Sequence, residues 1–375
     1  ATEYPKKIHD MLNNISVLSK VIEKGKSKIS YYSDNNIRVD FRLIIPEKFT
    51  TALHHFTGSK EHNVKLRKRA KDKGFKLNEY GLFKIDDKKE ESNRVSIENE
   101  SDLYKKLDLA FIAPELREGR GEIEAAAEGR LPESVRLTDI RGDLHVHSRF
   151  SDGAFTMKEM IESAIDIGYN YLAITDHSQS LRVAHGMSAE KVVRQRKKMD
   201  KLRDDYPEFN LINGIEVDIL TDGSLDYSDE ILDGFELVIA SIHTGFRQNK
   251  EDMTARIIKA IENPYVDVIG HPQGRLLGRR KSYSVDMEKV INKAAEFGVA
   301  LEINASPYRL DLDPIMARKA KNAGVKMVIN TDAHHIKQFR DMRLGVNVAR
   351  RGWLEKENLL NTMTYEELIN YLNGN

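Results

Sequence analysis

The stretch DLHVHSRFSDG, residues 143–153, sets two histidines one residue apart, His145 and His147, with Asp152 five residues beyond. On a strand, residues i and i+2 share a face, so both imidazoles would point to one place. Two neutral ring nitrogens aimed at one point form half of a metal site. An H-x-H pair alone is weak evidence, because paired histidines are more often surface or hydrogen-bonded residues. The rest of the chain strengthens it. Six of the twelve histidines stand at the ends of short apolar runs: His145, His147, His177, His243, His271 and His334. Asp152, Glu216 and Asp332 join them, and Glu302 and Asn304 end a further run. Singly, each has an ordinary explanation, such as capping by His271 or a buried hydrogen-bonded Glu216. Jointly that explanation fails, since so many uncompensated polar groups in one mouth would cost several kcal/mol each. With four to six donors per ion, and sharing through carboxylate and water, the nine residues suit two to three divalent cations. The chain has no cysteine. Thiolate sites and disulfides are therefore excluded, and all-N/O ligation suits Mn²⁺ or Zn²⁺, with Fe²⁺ also admitted. Clustered ions lower the pKa of a shared water and clamp a phosphate, which makes phosphoester hydrolysis the reaction class.

The elements that must position these residues follow a regular pattern from about residue 140. The apolar runs DLHVH, YLAITDH, LINGIEVD, LVIASIHT, DVIGHP, ALEINAS and KMVINTDAH alternate with helical stretches. The latter include TMKEMIESAIDIG, SAEKVVRQRKKMDKLRDD, EDMTARIIKAIENP and SVDMEKVINKAAEFG, and serine starts at Ser188 and Ser284 suit N-caps. Continuous apolar strands alternating with helices mean parallel β-structure covered on both faces. Every run carries its ligand-type residues at its C-terminal end. A barrel gathers all strand C-termini at one mouth, whereas a doubly wound sheet spreads them along a line. A seven-stranded α/β barrel is expected.

With 375 residues, two or three domains are expected. At 40% hydrophobic and 31% charged the composition is that of a soluble globular chain. No membrane span or signal peptide is expected, and an intracellular, cytoplasmic placement is the plain reading. Net charge is zero but unevenly spread. Residues 60–76 carry eight Lys or Arg against two acids, and residues 274–281 carry four with none. Each run is either a solvated face or a set of phosphate contacts.

The motifs HVHSRFSDG, ITDHS, GIEVD, SIHTGF, GHPQGRLL, LEINASPYRLD and NTDAHH resemble, in order, those of the polymerase-and-histidinol-phosphatase (PHP) domain over roughly residues 140–350. The resemblance implies a distorted seven-stranded (βα)7 TIM-like barrel with a trinuclear centre. It places His145, His147, Glu216 and Asp332 on a first ion, and Glu216, His243 and His271 on a second. Asp152, His177 and His334 fall to a third, with Glu216 shared by the first two. Asp176, beside His177, and Asp218, two after Glu216, are expected to work with Glu216 as catalytic carboxylates or as partners behind the ligands. Arg275, Arg279 and Lys281 are expected to hold phosphate.

Residues 1–139 read differently. A helix (PKKIHDMLNNI) precedes two strand-like runs joined at SDNN, and helical pieces follow, broken at Thr57-Gly58. NIRVDFRLI and HHFTGSKEHNVKLRKRAKDKGFKLNEYGLF resemble the end of the palm and the thumb of family X DNA polymerases. Asp40 matches the third palm carboxylate, Phe56 and Gly58 lie in the nucleotide-facing turn, and Asn63 sits at a nucleotide-contacting position. His55-Phe56 departs from the family's aromatic pair before TGS. The first two palm carboxylates have no counterpart after Ala1, so the chain reads as a C-terminal piece with an incomplete polymerase module. The expected domains are a partial palm (1–45), a thumb-like domain (46–110), a linker (111–139) and a PHP phosphoesterase domain (140–375).

The resulting expectation is a metal-dependent phosphodiesterase acting on DNA 3′ ends, single-stranded or gapped, as a 3′→5′ exonuclease. The resemblance also implies 3′-phosphatase and abasic-site cleavage. One rival is a histidinol-phosphatase-like enzyme for small molecules, against which the basic thumb-like segment argues. Another is a DNA-binding module with a structural metal cluster.

Overall fold

The computed structural model describes residue 2, residues 4–85 and residues 93–374. Its contacts divide the chain into two compact units, Ala1–Leu131 and Pro132–Asn375.

In the first unit, helix Pro5–Asn13 precedes an antiparallel meander of β1 (Leu18–Lys24), β2 (Lys28–Ser33) and β3 (Arg38–Arg42). The first strand-like run of the sequence is thus two strands, broken where Gly25 N–H donates back to Lys28 O. Leu12, Ile29 and Tyr31 form a small core beneath the meander. Helices Pro46–Thr57 and Lys60–Asp72 follow, then a sheet of β4 (Phe75–Asn78), β5 (Gly81–Lys84) and β6 (Arg94–Val95). The break at Thr57-Gly58 is present, and Ser59 caps the second helix by accepting from His62 N–H. That helix holds most of the first basic run. It buries His62, Leu66 and Ala70, a stripe four residues apart, and leaves the cations on its other sides.

The expected linker needs correction. Helices Glu100–Lys106 and Glu122–Ala127 flank residues 107–121, and Ile112, Leu116, Ile123, Ala125 and Ala126 are buried. Residues 111–131 therefore belong to the first unit. The charged, glycine-containing composition misleads because Arg117 and Glu122 are themselves buried and paired, with Glu100 and His62 respectively.

The second unit is a seven-stranded parallel sheet in the order β13-β12-β11-β10-β9-β8-β7. Its strands are β7 (Gly142–Asp143), β8 (Tyr171–Ile174), β9 (Asn210–Asp218), β10 (Leu237–Ser241), β11 (Val268–Ile269), β12 (Ala300–Asn304) and β13 (Met327–Asn330). The ends meet beyond β7 and β13, where Val146 bridges Ala333 and His147 N–H donates to Ala333 O at 2.9 Å. The result is a nearly closed, distorted barrel, as expected. Helices Met157–Asp166, Ala189–Asp205, Lys250–Ile261 and Met287–Phe297 match the four helical stretches. Ser188 caps the second of these, but Asp286, not Ser284, caps the last. No helix among the described residues is long and apolar enough to cross a membrane.

Strand alternation builds the site. Leu144, Tyr171, Ala173, Ile212, Leu237, Ile239, Val268, Ala300 and Val328 cluster together, while Ile215, Val217, Val238, Ala240, Leu301 and Ile329 pack in a separate core. Continuing the first set by steps of two reaches His177, Glu216, His243, Glu302 and Asp332. These polar residues therefore stand on the same face as the apolar barrel floor, further toward the C-terminal ends. His271 breaks this parity, as His145 and His147 do relative to Leu144, and the φ of 28° at His271 is the turn that brings it inward.

Candidate metal centre

All nine predicted ligands converge on the barrel mouth. Glu216 is at the middle, almost wholly buried. Its Oε2 lies 3.3 Å from His145 Nε2, 3.6 Å from His147 Nε2 and 2.8 Å from His177 Nδ1. Its Oε1 lies 3.1 Å from His271 Nε2 and 3.3 Å from His243 Nε2. Asp332 Oδ1 is 3.1 Å from His147 Nε2 and 3.7 Å from His145 Nε2. Asp152 Oδ1 is 3.3 Å from His334 Nε2 and 3.7 Å from His177 Nε2. Three sets have donor atoms close enough for one ion each: His145, His147 and Asp332; His177, Glu216 and His243; and Asp152, His147, His177 and His334. His177 thus stands between two groups, with one ring nitrogen toward Glu216 and the other toward Asp152.

The donor set fits cations. His145 Nε2 and Glu216 Oε2 are buried without a hydrogen-bond partner, the 2.8 Å approach of His177 lacking hydrogen-bond alignment. Orphaned buried polar atoms facing one another are costly unless something binds them. The charge balance is mixed: burial pulls His145 and His243 down, yet the facing carboxylates outweigh it and hold both rings above the usual imidazole range, so metal binding there displaces a proton. Burial pushes the carboxyls of Glu216 and Asp332 upward, yet the surrounding imidazoles outweigh it and hold both well below the usual range. Burial, with His334 and His177 alongside, lowers His147 to about 3 and leaves its ring neutral. Neutral imidazole and ionised carboxylate are the metal-binding forms.

Residues behind the ligands orient them. His145 Nδ1 meets Glu302 Oε1 at 2.7 Å, and Glu302 Oε2 accepts from His271 N–H at 2.7 Å and from the Asn304 amide at 3.2 Å. Asn304 also donates to Asp332 Oδ2 at 3.1 Å, and Asn330 donates to Glu302 Oε1 at 3.0 Å. Asp218 Oδ1 is 2.5 Å from His243 Nδ1, as expected of a partner. Asp176 is different. It accepts from Ser148 N and Oγ, Ser151 N and Oγ, and Gln195 Nε2, so it shapes the 148–151 loop and holds no ligand ring.

The phosphate-binding expectation also needs correction. Arg275 donates to the carbonyls of Arg309 and Leu310, which commits its guanidinium to the backbone. Arg279 lies over the Tyr308 ring at 5.5 Å, and Lys281 is exposed. The cations that line the cavity over the centre are Arg280 and Arg309. This cavity, about 340 Å³, is also lined by Asp152, His177, Glu216, His243 and Phe246. Arg280 lies one residue from a predicted position, in a run whose register the sequence leaves open. Arg309 and Glu302 stand in the LEINASPYRLD motif, and Glu302 was marked only by its strand-end position.

In the first unit, Asp40 on β3 pairs with Arg38 at 3.0 Å and Lys28 at 3.7 Å. Among the described residues it joins no group of three candidate ligands. Phe56 is half exposed, with the Arg42 guanidinium 5.5 Å from its ring. The Asn63 amide donates to His55 O at 2.9 Å and Gly58 O at 3.1 Å, so it pins the turn itself.

The DNA polymerase beta thumb family matches residues 52–118, and the PHP domain family matches residues 143–306. The DNA polymerase/3′-5′ exonuclease PolX of Bacillus subtilis (strain 168) is 42% identical over 377 residues, covering all of this chain and 65% of that relative. The chain thus spans just under two thirds of that relative's length. A probable phosphatase of Thermoanaerobacter sp. (strain X514) is 31% identical over 232 residues, 59% of this chain and 89% of the relative. The crystal structure of histidinol phosphate phosphatase from Lactococcus lactis, complexed with zinc, L-histidinol and phosphate, aligns with a TM-score of 0.42. That alignment has 17% identity and covers 56% of this chain and 93% of the other. With thumb and PHP matches in one chain, the protein belongs to the PHP-domain family and carries a DNA polymerase beta thumb, and it is similar along its full length to a family X DNA polymerase, PolX.

Proposed function

We propose that this chain is a metal-dependent phosphodiesterase that removes nucleotides from DNA 3′ ends. One observation carries the reading: Glu216 turns one carboxylate oxygen to His145, His147 and His177 and the other to His243 and His271, beneath a cavity edged by two arginines. The nine side chains would hold two to three ions, with Mn²⁺ or Zn²⁺ suited to their nitrogen and oxygen donors. Such ions, when bound, lower the pKa of a shared water and draw charge from the phosphoryl oxygens.

The chain's own residues do the rest. Arg280 and Arg309 are placed to bind the non-bridging oxygens of a phosphodiester. Burial, and then the nearby charge of Arg309, hold the Arg280 guanidinium below its ordinary pKa. Two cations at one mouth repel each other, and an anion between them relieves this. Asp218 and Glu302 keep His243 and His145 oriented, with the opposite ring nitrogen of each turned inward. Hydrolysis consumes one water: a P–O bond forms to its oxygen, the P–O3′ bond breaks, and the strand keeps a 3′-hydroxyl. The same chemistry would cover removal of a 3′-phosphate and cleavage at abasic sites. DNA as partner, at single-stranded or gapped 3′ ends, is supported by the thumb match and by the 3′-5′ exonuclease activity for which the Bacillus relative is named. No primer extension is ascribed to Asp40, which is paired with Arg38 and Lys28.

A small-molecule phosphatase is the competing reading, favoured by relatives named probable phosphatase. The test is a 5′-labelled oligonucleotide and histidinol phosphate, each incubated with the chain and Mn²⁺. A ladder of shortened strands is expected. Phosphate release from histidinol phosphate with the oligonucleotide left intact would favour the rival.

A further inference from the structure

A second cavity, about 830 Å³, is lined by Gly245, Phe246, Arg247, Gln248 and Arg280. It shares Phe246 and Arg280 with the cavity over the metal centre. The two shared side chains are stacked, the Arg280 guanidinium 3.7 Å from the centre of the Phe246 ring. Arg280 is also fixed at its other edge, its Nε and Nη2 donating to Gly274 O at 3.2 and 2.9 Å. A planar cation is thereby held as a partition between the two cavities.

The wall of the second cavity is equally preformed. Arg256 is almost wholly buried and donates through Nη1 to Thr244 O at 3.1 Å and Gln248 Oε1 at 3.0 Å, and through Nη2 to Ile219 O. Gln248 Nε2 donates to Thr221 O at 2.8 Å. Gly245 has φ of 69°, and a Cβ there would come within 2.8 Å of Arg256 Nη1. The 244–248 loop is thus clamped from below by a buried cation, with exposed Arg247 at its crest.

A wall of one fixed guanidinium plane and one exposed cation suits a single-stranded nucleotide, whose base stacks on planar groups and whose phosphate takes a charge. We propose that this second cavity is the subsite for the nucleotide on the 5′ side of the scissile phosphodiester, its base against Arg280 and its phosphate on Arg247. This rests on the phosphodiesterase reading above. Its consequence is selectivity: a strand end fills both cavities, whereas a mononucleotide fills one.

The test compares two substrates of the full chain in Mn²⁺. The dinucleotide pTpT reaches both cavities. Thymidine 5′-p-nitrophenyl phosphate has the same scissile phosphodiester class but no upstream nucleotide. Arg247→Ala is expected to lower kcat/KM for pTpT about tenfold, mainly through KM, as loss of one charge-assisted contact predicts. Hydrolysis of the p-nitrophenyl ester should stay within about twofold. Arg247→Lys should recover most of the loss, and Gly245→Ala, which strains the loop, should reproduce it. An equal fall on both substrates, or no fall on either, overturns the subsite. A wild-type chain that cleaves neither diester but releases phosphate from histidinol phosphate overturns the phosphodiesterase reading itself, and the subsite with it.

Discussion

Glu302 binds His145 Nδ1 through one carboxylate oxygen and the backbone N–H of His271 through the other, at 2.7 Å each. One buried acid thus fixes two ligands on different strands. A carboxylate only accepts, so His145 must carry its proton on Nδ1 and offer Nε2 inward.

Replacing Glu302 by Gln should therefore weaken metal binding although Glu302 is not among the nine ligands. The amide NH₂ would oppose either His271 N–H or the His145 ring. A loss of about 10–100-fold in metal affinity is expected, as for other residues that orient ligands. Metal titration by calorimetry, with circular dichroism as the folding control, checks it. Unchanged affinity would show that Glu302 does not set the tautomer.

Glu216 and His334 should differ in how many ions they control. Glu216 faces two histidine groups, while His334 meets Asp152 alone among the carboxylate side chains of its group at 3.3 Å. Glu216→Ala is expected to lose at least two ions per chain and all hydrolysis of an oligonucleotide. His334→Ala should lose one ion and retain some activity. Glu216→Gln should be nearly as damaging as Ala, since a neutral amide bridges cations poorly. Mass-spectrometric metal counting alongside the assay decides it. Retained metal in Glu216→Ala with complete loss in His334→Ala would refute this grouping.

Arg275 should behave as a structural residue. Its guanidinium holds two carbonyls of the loop that carries Arg309. Arg275→Ala is expected to cost about 1.5–3 kcal/mol in urea denaturation, the range for hydrogen bonds from a charged group. Arg309→Ala, at the cavity itself, should raise KM with a smaller effect on stability. A large KM effect from Arg275→Ala with unchanged stability would restore direct phosphate binding.

Asp311 supplies a pH dependence. It is fully buried and accepts from the backbone N–H of Gln273 and Arg275 at 3.0 and 3.3 Å. Burial outweighs these bonds and raises its carboxyl to about 7. Between about pH 4 and 7 the unfolded chain has released this proton and the folded chain has kept it, so stability falls as pH rises through that window. The term is on the order of 4 kcal/mol and is complete above the folded pKa. Asp311→Asn stays neutral and should flatten this part of the profile. Urea denaturation at pH 5 and pH 8 for both proteins tests the sign, and an unchanged difference would rule Asp311 out.

Glu122 should be indispensable to the first unit. It meets buried His62 Nδ1 at 2.7 Å and accepts the backbone N–H groups of Gly119 and Arg120. Glu122→Ala is expected to destabilise this unit by about 3–5 kcal/mol, because it leaves the buried His62 ring and two half-buried backbone donors unmet. Thermal unfolding followed by circular dichroism reads it, and a loss below about 1 kcal/mol would return this segment to the status of a linker.

The sequence by itself determined the barrel and the residues that meet at its mouth. Period-two spacing in HVH, and polar residues closing seven apolar runs, leave one arrangement in which the strand ends meet, because strand alternation is a local rule. The turn at Thr57-Gly58 and the helices around it were legible for the same reason. Tertiary structure alone decided what each charge does. Arg275 and Arg280 differ by five positions in one basic run, and both hold backbone carbonyls, yet only Arg280, anchored on Gly274 O, edges the cavity over the centre. Arg117 and Glu122 fall in the expected linker yet are buried, on partners Glu100 and His62 that lie 17 and 60 residues away. Asp176 stands beside a ligand in sequence but serves a loop 25–28 residues upstream. Whether a charged side chain meets water, a carbonyl or a second charge depends on contacts distant in the chain, and no local pattern encodes them.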